Sequence, residues 1–584
     1  MHVARIKSSH VDKAGLRHDY ESVYLRRSYR DGGKVRHEQL SNLSALPAAA
    51  ITAIEAVLSG RPLAPVGAGL EITRSLPHGH VAAITAQAAA LGFPGLLGPP
   101  GRARDIALAL VVARVARPGS KLATTRWWAD TTLARDLGVA DATLDDVYAA
   151  MDWLAGRQES IETKLAARHL SAANNPDRLA LFDLSSSWVT GTHCALAARG
   201  YSRDGKKGLP QIEYGLLTDP VGRPVAVKVF PGNTADPTAF IAIVEHIRTR
   251  FHLGEMVMVG DRGMITAARV EALREVGGLG WVTALRAPGI AALAADNGPL
   301  QMSLFDHANL AEIAHPDYPG ERLIACRNPA LAEHRAAKRL ALLAATETNL
   351  TKVGDATTRA ARPLRGADRI GARVGKILGK HKMAKHFSWA ATDTTLTFTR
   401  DQASIDTEAG MDGIYVIRTS VPAEQMSPAK VVATYKSLAG VERDFRSIKA
   451  IDLDLRPIHH HTETRVRGHV FICMLAAYLV WHLRQAWAPL TFTDQNRPTS
   501  VDPVAPARRS AAAARKAATK TSTDGALPAR SFTGLLDHLA TLTRNRIQIA
   551  GADHPGFDQL ALPTPVQRRA FELLHAPIPL TLTK

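Results

Sequence analysis

Two short apolar runs of the sequence each end in an aspartate. Leu179–Phe182 precedes Asp183, and Met256–Gly260 precedes Asp261. Runs of this kind predict buried strands, and ligands of open α/β sheets gather beyond the carboxyl ends of the strands. An acid at one strand end commonly forms only a turn or a helix cap. Two such acids indicate a place where carboxylates could act together on a ligand.

A third carboxylate, Glu442, falls on a predicted helix that begins at Ser427-Pro428, a favourable N-cap followed by a favourable first residue. Glu442 fills the gap in an apolar stripe formed by Val431, Tyr435, Leu438 and Phe445. Seven-residue steps nearly align on a helix, so Tyr435, Glu442 and Lys449 are expected on one face. An inward carboxylate needs a cation. The ordinary alternative is a salt bridge to Arg443, Arg446 or Lys449.

Three carboxylates without Cys or His favour a hard cation, Mg²⁺ or Mn²⁺, over zinc. The cysteines, Cys194, Cys326 and Cys473, form no CxxC pair, which argues against a disulfide framework or a Cys-rich zinc site. The tract His459-His460-His461 resembles a metal tract, but adjacent side chains do not converge on one ion. We expect a solvated or DNA-facing loop there.

The chain is strongly basic, with 72 Lys and Arg against 54 Asp and Glu in 584 residues, a formal charge of +18. Such a surplus attracts polyanions, nucleic acid first. One basic stretch includes Arg373, Lys376, Lys380, Lys382 and Lys385, and Trp389 follows it. Phosphate contact and a solvated face are both open for the stretch, and base stacking and hairpin packing are both open for Trp389. Arg203, Lys206 and Lys207 follow the first aspartate strand and could touch DNA.

The run Tyr435-x2-Leu438-x3-Glu442-x6-Lys449 resembles the Tyr-x2-Arg-x3-Glu-x6-Lys signature of bacterial insertion-sequence transposases with a DDE (Asp-Asp-Glu) core, with Leu438 in place of the Arg. The segments around Asp183 and around Asp261-Arg262-Gly263 resemble the two aspartate strands of that family. Segments 232–236 and 412–419 are similar to further family segments. The resemblance extends over most of the chain, from about 179 to 485.

That resemblance implies an RNase H-like core in which Asp183, Asp261 and Glu442 hold two Mg²⁺ or Mn²⁺ ions. It implies that water cleaves DNA at the element ends and that the released 3′-OH attacks target DNA. Tyr435, Lys449 and Arg262 are implied DNA contacts. The implied partners are terminal inverted repeats and target DNA, held by a homodimer. A nuclease with the same core and a non-catalytic transposase-derived DNA-binding protein are the alternatives.

Seven segments are predicted to position these residues. They are a β element (1–42) with a hairpin at its Asp31-Gly32-Gly33 turn, a helical region expected to bind DNA (43–175), the first part of an RNase H-like α/β core with a mixed sheet (176–288), an insertion domain (289–411), the second part of the core (412–490), a basic flexible linker (491–530) and a helical tail (531–584). A helix-turn-helix spacing at 134–144 is better explained as a structural bundle, because Asp141, Asp145 and Asp146 would face phosphates.

No apolar stretch follows the basic start, so no secretory signal is expected. The longest apolar run, Val470 to Trp481, is too short to span a bilayer and predicts a buried helix. We therefore expect no membrane partner and a bacterial cytoplasmic, nucleoid-associated protein.

Overall fold

The computed structural model describes all residues except 14, 62–68, 192, 296–297, 495–501, 524, 550–554 and 583–584, and the side chains of 236, 237 and 276. The chain divides into two compact units. One unit consists of Met1–Pro77 and Leu542–Pro563, and the other of His78–Thr541 and Thr564–Lys584. The first unit therefore combines the start of the chain with a segment near its end.

The first unit begins with a three-stranded antiparallel sheet, formed by β1 (His2–Val11), β2 (Arg17–Asp31) and β3 (Lys34–Asn42). The predicted hairpin is confirmed, and φ is 58° at Gly32 and 82° at Gly33, as a two-residue hairpin turn requires. Helix α1 (Ala48–Leu58) packs on the sheet, and β4 (Leu70–Pro77) follows.

Helices fill the next part of the chain: α2 (Gly79–Ala90), α3 (Phe93–Leu97), α4 (Arg102–Ala116), α5 (Lys121–Ala129), α6 (Leu133–Leu137), α7 (Leu144–Gly156) and α8 (Gln158–His169). Helix α4 is buried from Ile106 to Val115. Asp146 forms a capping box with Thr143 at the start of α7, and it also pairs with Arg102. Two of the three acids at the helix-turn-helix spacing, Asp141 and Asp146, thus have a structural partner in Arg102.

The sheet region contains β5 (Leu179–Trp188), β6 (Gln211–Thr218), β7 (Pro224–Pro231), α9 (Asp236–Thr249), β8 (Met256–Val259), α10 (Ala267–Val276), β9 (Leu279–Ala284), α11 (Ala287–Leu293), β10 (Leu310–Ile313) and β11 (Arg322–Arg327). After it come α12 (Pro329–Thr358), α13 (Ala367–His381), β12 (Phe387–Ala391), β13 (Leu396–Arg400), α14 (Gln402–Gly410) and β14 (Ile414–Thr419).

These strands form an eight-stranded mixed sheet in the order β10-β11-β14-β9-β8-β5-β6-β7. β8 pairs in parallel with both β5 and β9, and the other pairs are antiparallel. The mixed α/β fold predicted from the sequence is confirmed. β10 and β11 extend this sheet although they fall within 289–411, whereas residues from Leu343 to Ile405 form a separate apolar cluster.

Three helices follow β14: α15 (Pro428–Lys436), α16 (Leu438–Arg446) and α17 (Glu463–Ala486). Helix α17 is long and apolar enough to cross a membrane by length and composition alone. However, 83% of its apolar window is buried inside the protein, and it packs against α4, α7 and β7. The prediction of a buried helix at Val470–Trp481 is confirmed.

The last elements are α18 (Ala511–Thr519), α19 (Phe532–Ala540), β15 (Thr543–Ile549), β16 (Phe557–Leu560) and α20 (Pro565–Leu573). The flexible linker predicted for 491–530 is wrong in its described part, because α18 is held by Lys516, whose buried Nζ donates to three backbone carbonyls; residues 495–501 and 524 lie outside the described residues. The tail is not all helical, because β15 and β16 form a sheet with β4.

Candidate active site

Asp261 follows the end of β8, whereas Asp183 lies within the neighbouring strand β5 and not at its end, contrary to the expectation from its apolar run. In the parallel pair β5 and β8, Leu181 is opposite Val259, and each aspartate comes two residues later. The register therefore places Asp183 beside the carboxyl end of β8, next to the turn that contains Asp261.

Asp261 is held in the turn that ends β8. Its Oδ1 accepts hydrogen bonds from the amides of Gly263 (2.9 Å) and Met264 (2.7 Å). Its carbonyl oxygen accepts a bond from Thr283 Oγ1 on β9 at 3.1 Å. The backbone and one carboxylate oxygen are thereby fixed, while the side chain stays exposed.

Glu442 lies on α16, which packs against β5 through buried Val441 and Phe445. The ring centroid of Phe445 is 5.7 Å from that of Tyr214. The helix expected to run straight from Ser427 is divided at Ser437, and Glu442 is exposed instead of facing inward. No salt bridge to Glu442 is found within the described part of the chain, so the structural alternative is not realised.

The three acids influence one another electrostatically. Burial and the negative charges of Asp261 and Glu442 raise the pKa of Asp183 to about 7, against the opposing effects of the Leu184 amide and the Arg203 charge. Burial and the same three acids raise the pKa of Tyr435 to about 12. The three predicted acids and Tyr435 therefore share one site.

The three carboxylates interact electrostatically, but they are not close enough together to form a metal site. Among the residues that the structure describes, no group of three His, Cys, Asp or Glu side chains is close enough to hold a metal ion as it stands. Like charges repel one another, and two of the three acids keep their carboxylates in solvent. The three acids would have to move closer together to hold a cation.

Residues 176–479 match the family described as Transposase DDE domain, and residues 13–63 match IS1634 family transposase, N-terminal domain. The first match covers more than half of the chain. The chain belongs to the DDE transposases. No curated protein sequence matches it.

Among solved structures, the transposase is similar to the piggyBac transposase synaptic complex with hairpin DNA, at 9% identity and a TM-score of 0.30. That similarity covers 66% of this chain and 67% of the other. A score this low does not bear on the fold. Membership of this family also assigns the activity, which is DNA cleavage and strand transfer.

Lys449 differs from the expectation of an open DNA contact. It is 8% exposed, and its Nζ donates to Asp204 Oδ1 at 2.7 Å. Arg456 also pairs with Asp204 Oδ1, at 2.6 Å. The expected alignment of Tyr435, Glu442 and Lys449 fails because of the division at Ser437 and a π-helical turn, Ser447–Ile451, that contains Lys449. In this structure Lys449 is a buried ion-pair partner.

The other predicted contacts near the acids are accessible to different degrees. Arg203 is half-buried and pairs with Glu213 at 3.2 Å. Lys206 and Lys207 are exposed, and Lys206 Nζ lies 6.0 Å from the Trp188 ring. Arg262 is exposed beside Asp261. Arg203 and Arg262 act electrostatically on Asp183 and Tyr435, whereas Lys206 lies near Trp188, five residues further along β5 than Asp183.

Arg262 and Tyr435 also line a cavity of about 520 Å³ that extends to the segment 329–411 of the transposase. Further lining residues from that segment include Arg335, Lys338, Met383, Lys385 and Met411. Lys385 is among the basic residues predicted from the sequence, whereas Arg335 and Lys338 are not. The sequence of a basic helical turn does not indicate which surface of the protein the turn faces.

On α13, Arg373, Lys376 and Lys380 are exposed, opposite the buried Ile370, Val374 and Leu378. Lys382 ends that helix in the left-handed conformation, and Lys385 pairs with Glu408 at 2.6 Å. Trp389 is 41% exposed, and one edge of its ring faces Gly371 of α13, so the ring packs in part against that helix. The basic helix face and the rest of the Trp ring are exposed.

The three His459–His461 rings do not share one environment. His460 is mostly buried, with its ring 5.0 Å from that of His469, and burial lowers the pKa of His460 to about 3. His459 Nδ1 lies 2.7 Å from Thr190 Oγ1. The expectation of a solvated loop fails at His460, which packs against α17, whereas His459 and His461 are exposed.

Proposed function

We propose that Asp183, Asp261 and Glu442 are the catalytic acids of this transposase and hold two divalent ions, Mg²⁺ or Mn²⁺. The observation that carries the proposal is the environment of the Asp183 carboxyl, whose pKa is raised to about 7 by burial first and then by the charges of Asp261 and Glu442. A carboxyl group this poorly stabilised as an anion needs a positive charge nearby. The register of Leu181 with Val259 supports the pairing of the two aspartates.

The donor set fits such ions by chemistry. All three ligands are carboxylates, which suit hard cations, and two of them are exposed, Asp261 with its Oδ1 held by backbone amides and Glu442 on the surface of α16. When bound, two such ions supply activation of the attacking oxygen and stabilisation of the leaving oxygen in phosphoryl transfer. Asp183 would provide the fixed, mostly buried ligand, because its Oδ1 already accepts a 2.8 Å hydrogen bond from the Leu184 amide.

Around these acids we propose an RNase H-like core, with an insertion domain between Asp261 and Glu442. The mixed sheet with parallel β5, β8 and β9 supports the core, and the separate apolar cluster of α12–α14 and β12–β13 supports the insertion. We propose that DNA is held by Arg203, Lys206, Lys207, Arg262, Tyr435, Trp389 and the basic face of α13.

The DNA substrates proposed are the terminal inverted repeats of the element and its target DNA. A homodimer that holds two ends, and a location in the cytoplasm on the nucleoid, follow from the family resemblance and belong to this proposal. Lys449 can join the DNA contacts only if its ion pair with Asp204 opens.

Binding of Mn²⁺ to the full-length chain tests the acid assignment independently of activity. We expect electron paramagnetic resonance titration to show two ions per chain, and at least about tenfold weaker binding for Asp183→Asn, Asp261→Asn and Glu442→Gln. Glu463→Gln is the matched control, because Glu463 is an exposed acid that pairs with Arg467 at 2.7 Å. Unchanged Mn²⁺ binding by all three variants would refute the proposed ligands.

A further inference from the structure

Three side chains from outside the turn at the end of β8 hold its backbone. Each donates a hydrogen bond to one of three successive carbonyl oxygens of the turn. Thr283 Oγ1 of β9 donates to Asp261 O at 3.1 Å, Arg286 Nε donates to Arg262 O at 3.2 Å, and Arg269 Nη1 of α10 donates to Gly263 O at 2.9 Å. The conformation of the turn that carries the second acid therefore depends on these donors.

Two of these carbonyls share a peptide unit with an amide that binds the acid. The carbonyl of Gly263 and the amide of Met264 belong to one peptide unit, and the carbonyl of Arg262 and the amide of Gly263 belong to the unit before it. Both amides donate to Asp261 Oδ1, at 2.7 Å from Met264 and at 2.9 Å from Gly263. Because a peptide unit is planar, a side chain that fixes its carbonyl also fixes the direction of its N–H. Arg269 thus orients the Met264 amide toward the Asp261 carboxylate.

Arg269 is the buried one of the two arginines that hold the turn. It is 3% exposed, whereas Arg286 is exposed. A hydrogen bond from a charged donor is stronger than one from a neutral group, and burial excludes water that would compete for it. The guanidinium at Gly263 O also polarises the peptide unit, which strengthens the Met264 N–H as a donor. Asp261 Oδ1 is thereby held, and no hydrogen bond to Asp261 Oδ2 is found in the part of the chain that the structure describes.

We propose that Arg269 is a positioning residue for the metal site. It fixes the Gly263–Met264 peptide unit, that unit holds Asp261 Oδ1, and Asp261 Oδ2 is thereby left available to a divalent ion. The proposal rests on the proposed role of Asp261 as a metal ligand and concerns a residue that does not itself bind the ion. The alternative is that Arg269 only braces α10 against the turn, in which case its loss destabilises the fold and leaves ion binding unchanged.

The test uses the full-length chain with Arg269→Gln, which removes the charge, and Arg269→Lys, which keeps the charge on a shorter donor. Arg114→Gln is the matched control, because Arg114 is 4% exposed and donates to the backbone carbonyls of Gly119 at 2.9 Å and Leu453 at 3.3 Å. Hydrogen–deuterium exchange of the peptide that spans residues 261–266 reports on the turn without any metal. Mn²⁺ titration by electron paramagnetic resonance reports on the site, and thermal unfolding gives the loss of stability.

For Arg269→Gln we expect about tenfold faster exchange in the turn and about tenfold weaker Mn²⁺ binding, the order of effect that partners of metal ligands have. Arg269→Lys should recover part of both losses, and Arg114→Gln should lower the melting temperature and change neither. If Arg269→Gln is destabilised but keeps its Mn²⁺ affinity, or if the control loses as much affinity, the positioning role is overturned. If Arg269→Gln does not fold, Arg269→Lys takes its place, with smaller changes expected in the same direction.

Failure of the metal assignment itself gives a different result. A wild-type chain that binds no Mn²⁺ would count against the three proposed ligands. The exchange comparison needs no ion, so it would still decide whether Arg269 fixes the turn. Unchanged exchange in both Arg269 variants would overturn that role.

Discussion

Asp204 Oδ1 lies 2.7 Å from Lys449 Nζ, in an ion pair in which the Asp204 side chain is only 2% exposed. Asp204 follows Arg203, whose amide donates to Ser186 Oγ on β5, three residues after Asp183. Lys449 lies seven residues after Glu442. The pair therefore connects the strand that carries the first acid with the helical segment that carries the last.

Replacing Asp204 should disturb the active site without removing a ligand. Asp204→Asn leaves the cations of Lys449 and Arg456 without their carboxylate, and we expect the free energy of unfolding to fall by about 3 kcal/mol. We also expect Mn²⁺ affinity to fall about tenfold, because positioning partners of metal ligands have effects of this order. Chemical denaturation and Mn²⁺ titration measure the two effects.

A matched control separates positioning from general destabilisation. Glu321 is also a buried acid, 1% exposed, and it accepts hydrogen bonds from Arg418 Nε at 2.5 Å and Trp281 Nε1 at 3.2 Å. Glu321→Gln should destabilise the fold and leave Mn²⁺ affinity unchanged, and Asp204→Glu should recover part of the loss. If Asp204→Asn and Glu321→Gln reduce Mn²⁺ affinity equally, the proposed positioning role of Asp204 is wrong.

The basic face of α13 should contribute to DNA affinity. Changing Arg373, Lys376 and Lys380 together to Gln should reduce the salt-dependence slope of duplex binding by up to about 3, because three potential phosphate contacts are lost. Their side chains are exposed, so stability should change by less than about 0.5 kcal/mol. Anisotropy titrations across salt concentrations give the slope.

The control for this face is a triple variant of arginines that already pair with carboxylates. Arg250, Arg400 and Arg569 pair with Glu159, Glu347 and Glu572. Changing these three to Gln removes the same charge, and we expect a smaller change of slope. Equal slopes for the two triple variants would show that only net charge matters, contrary to the proposed contact.

Stability should depend on pH through buried Lys121 at the start of α5. Its Nζ lies 3.3 Å from His469 Nδ1, and burial together with the charge of Arg114 lowers the pKa of Lys121 to about 7. Between pH 7 and about 10.5 the unfolded chain holds this proton more strongly than the folded chain, so the free energy of unfolding rises with pH across that window. Thermal melting at several pH values should show the rise.

Lys121→Met removes this titration and isolates it from the other groups. The variant should melt at a higher temperature than wild type at pH 7, and the difference should shrink toward pH 10. Burial also lowers the pKa values of His460 and His469, so both proteins should lose stability as the pH falls below about 6.5. If the difference in melting temperature between the two proteins stays constant with pH, the lowered pKa of buried Lys121 is contradicted.

The two aspartates could be found from sequence because each ends an apolar run, a local pattern that strands impose. Their pairing depends on the parallel register of Leu181 with Val259, which follows from the sheet order and not from either run alone. The sequence spacing predicts that Glu442 lies on a helix near the acids. It does not predict that Glu442 is exposed, because the helix is divided at Ser437, where neither Gly nor Pro marks a break.

Other features depend on contacts between residues far apart in the chain. Asp204 and Lys449 are separated by 245 positions, and no local pattern connects them. The segment around α18 has the composition of a linker, yet the burial of Lys516 by three carbonyls orders it. Composition gives only the average polarity of a segment. Whether a single ammonium group can be buried depends on the positions of its hydrogen-bond acceptors in the folded chain.

Cleavage and strand transfer by variants of the three acids test the central claim most directly. The assays use a supercoiled plasmid carrying the DNA from both sides of the reading frame, and a duplex with a pre-cleaved 3′-OH end. We expect Mg²⁺-dependent cutting and joining by the wild-type chain. Asp183→Asn, Asp261→Asn and Glu442→Gln should each lower both rates by at least about 10³-fold while duplex binding persists. Cleavage at the wild-type rate by any one of these three variants would contradict the assignment.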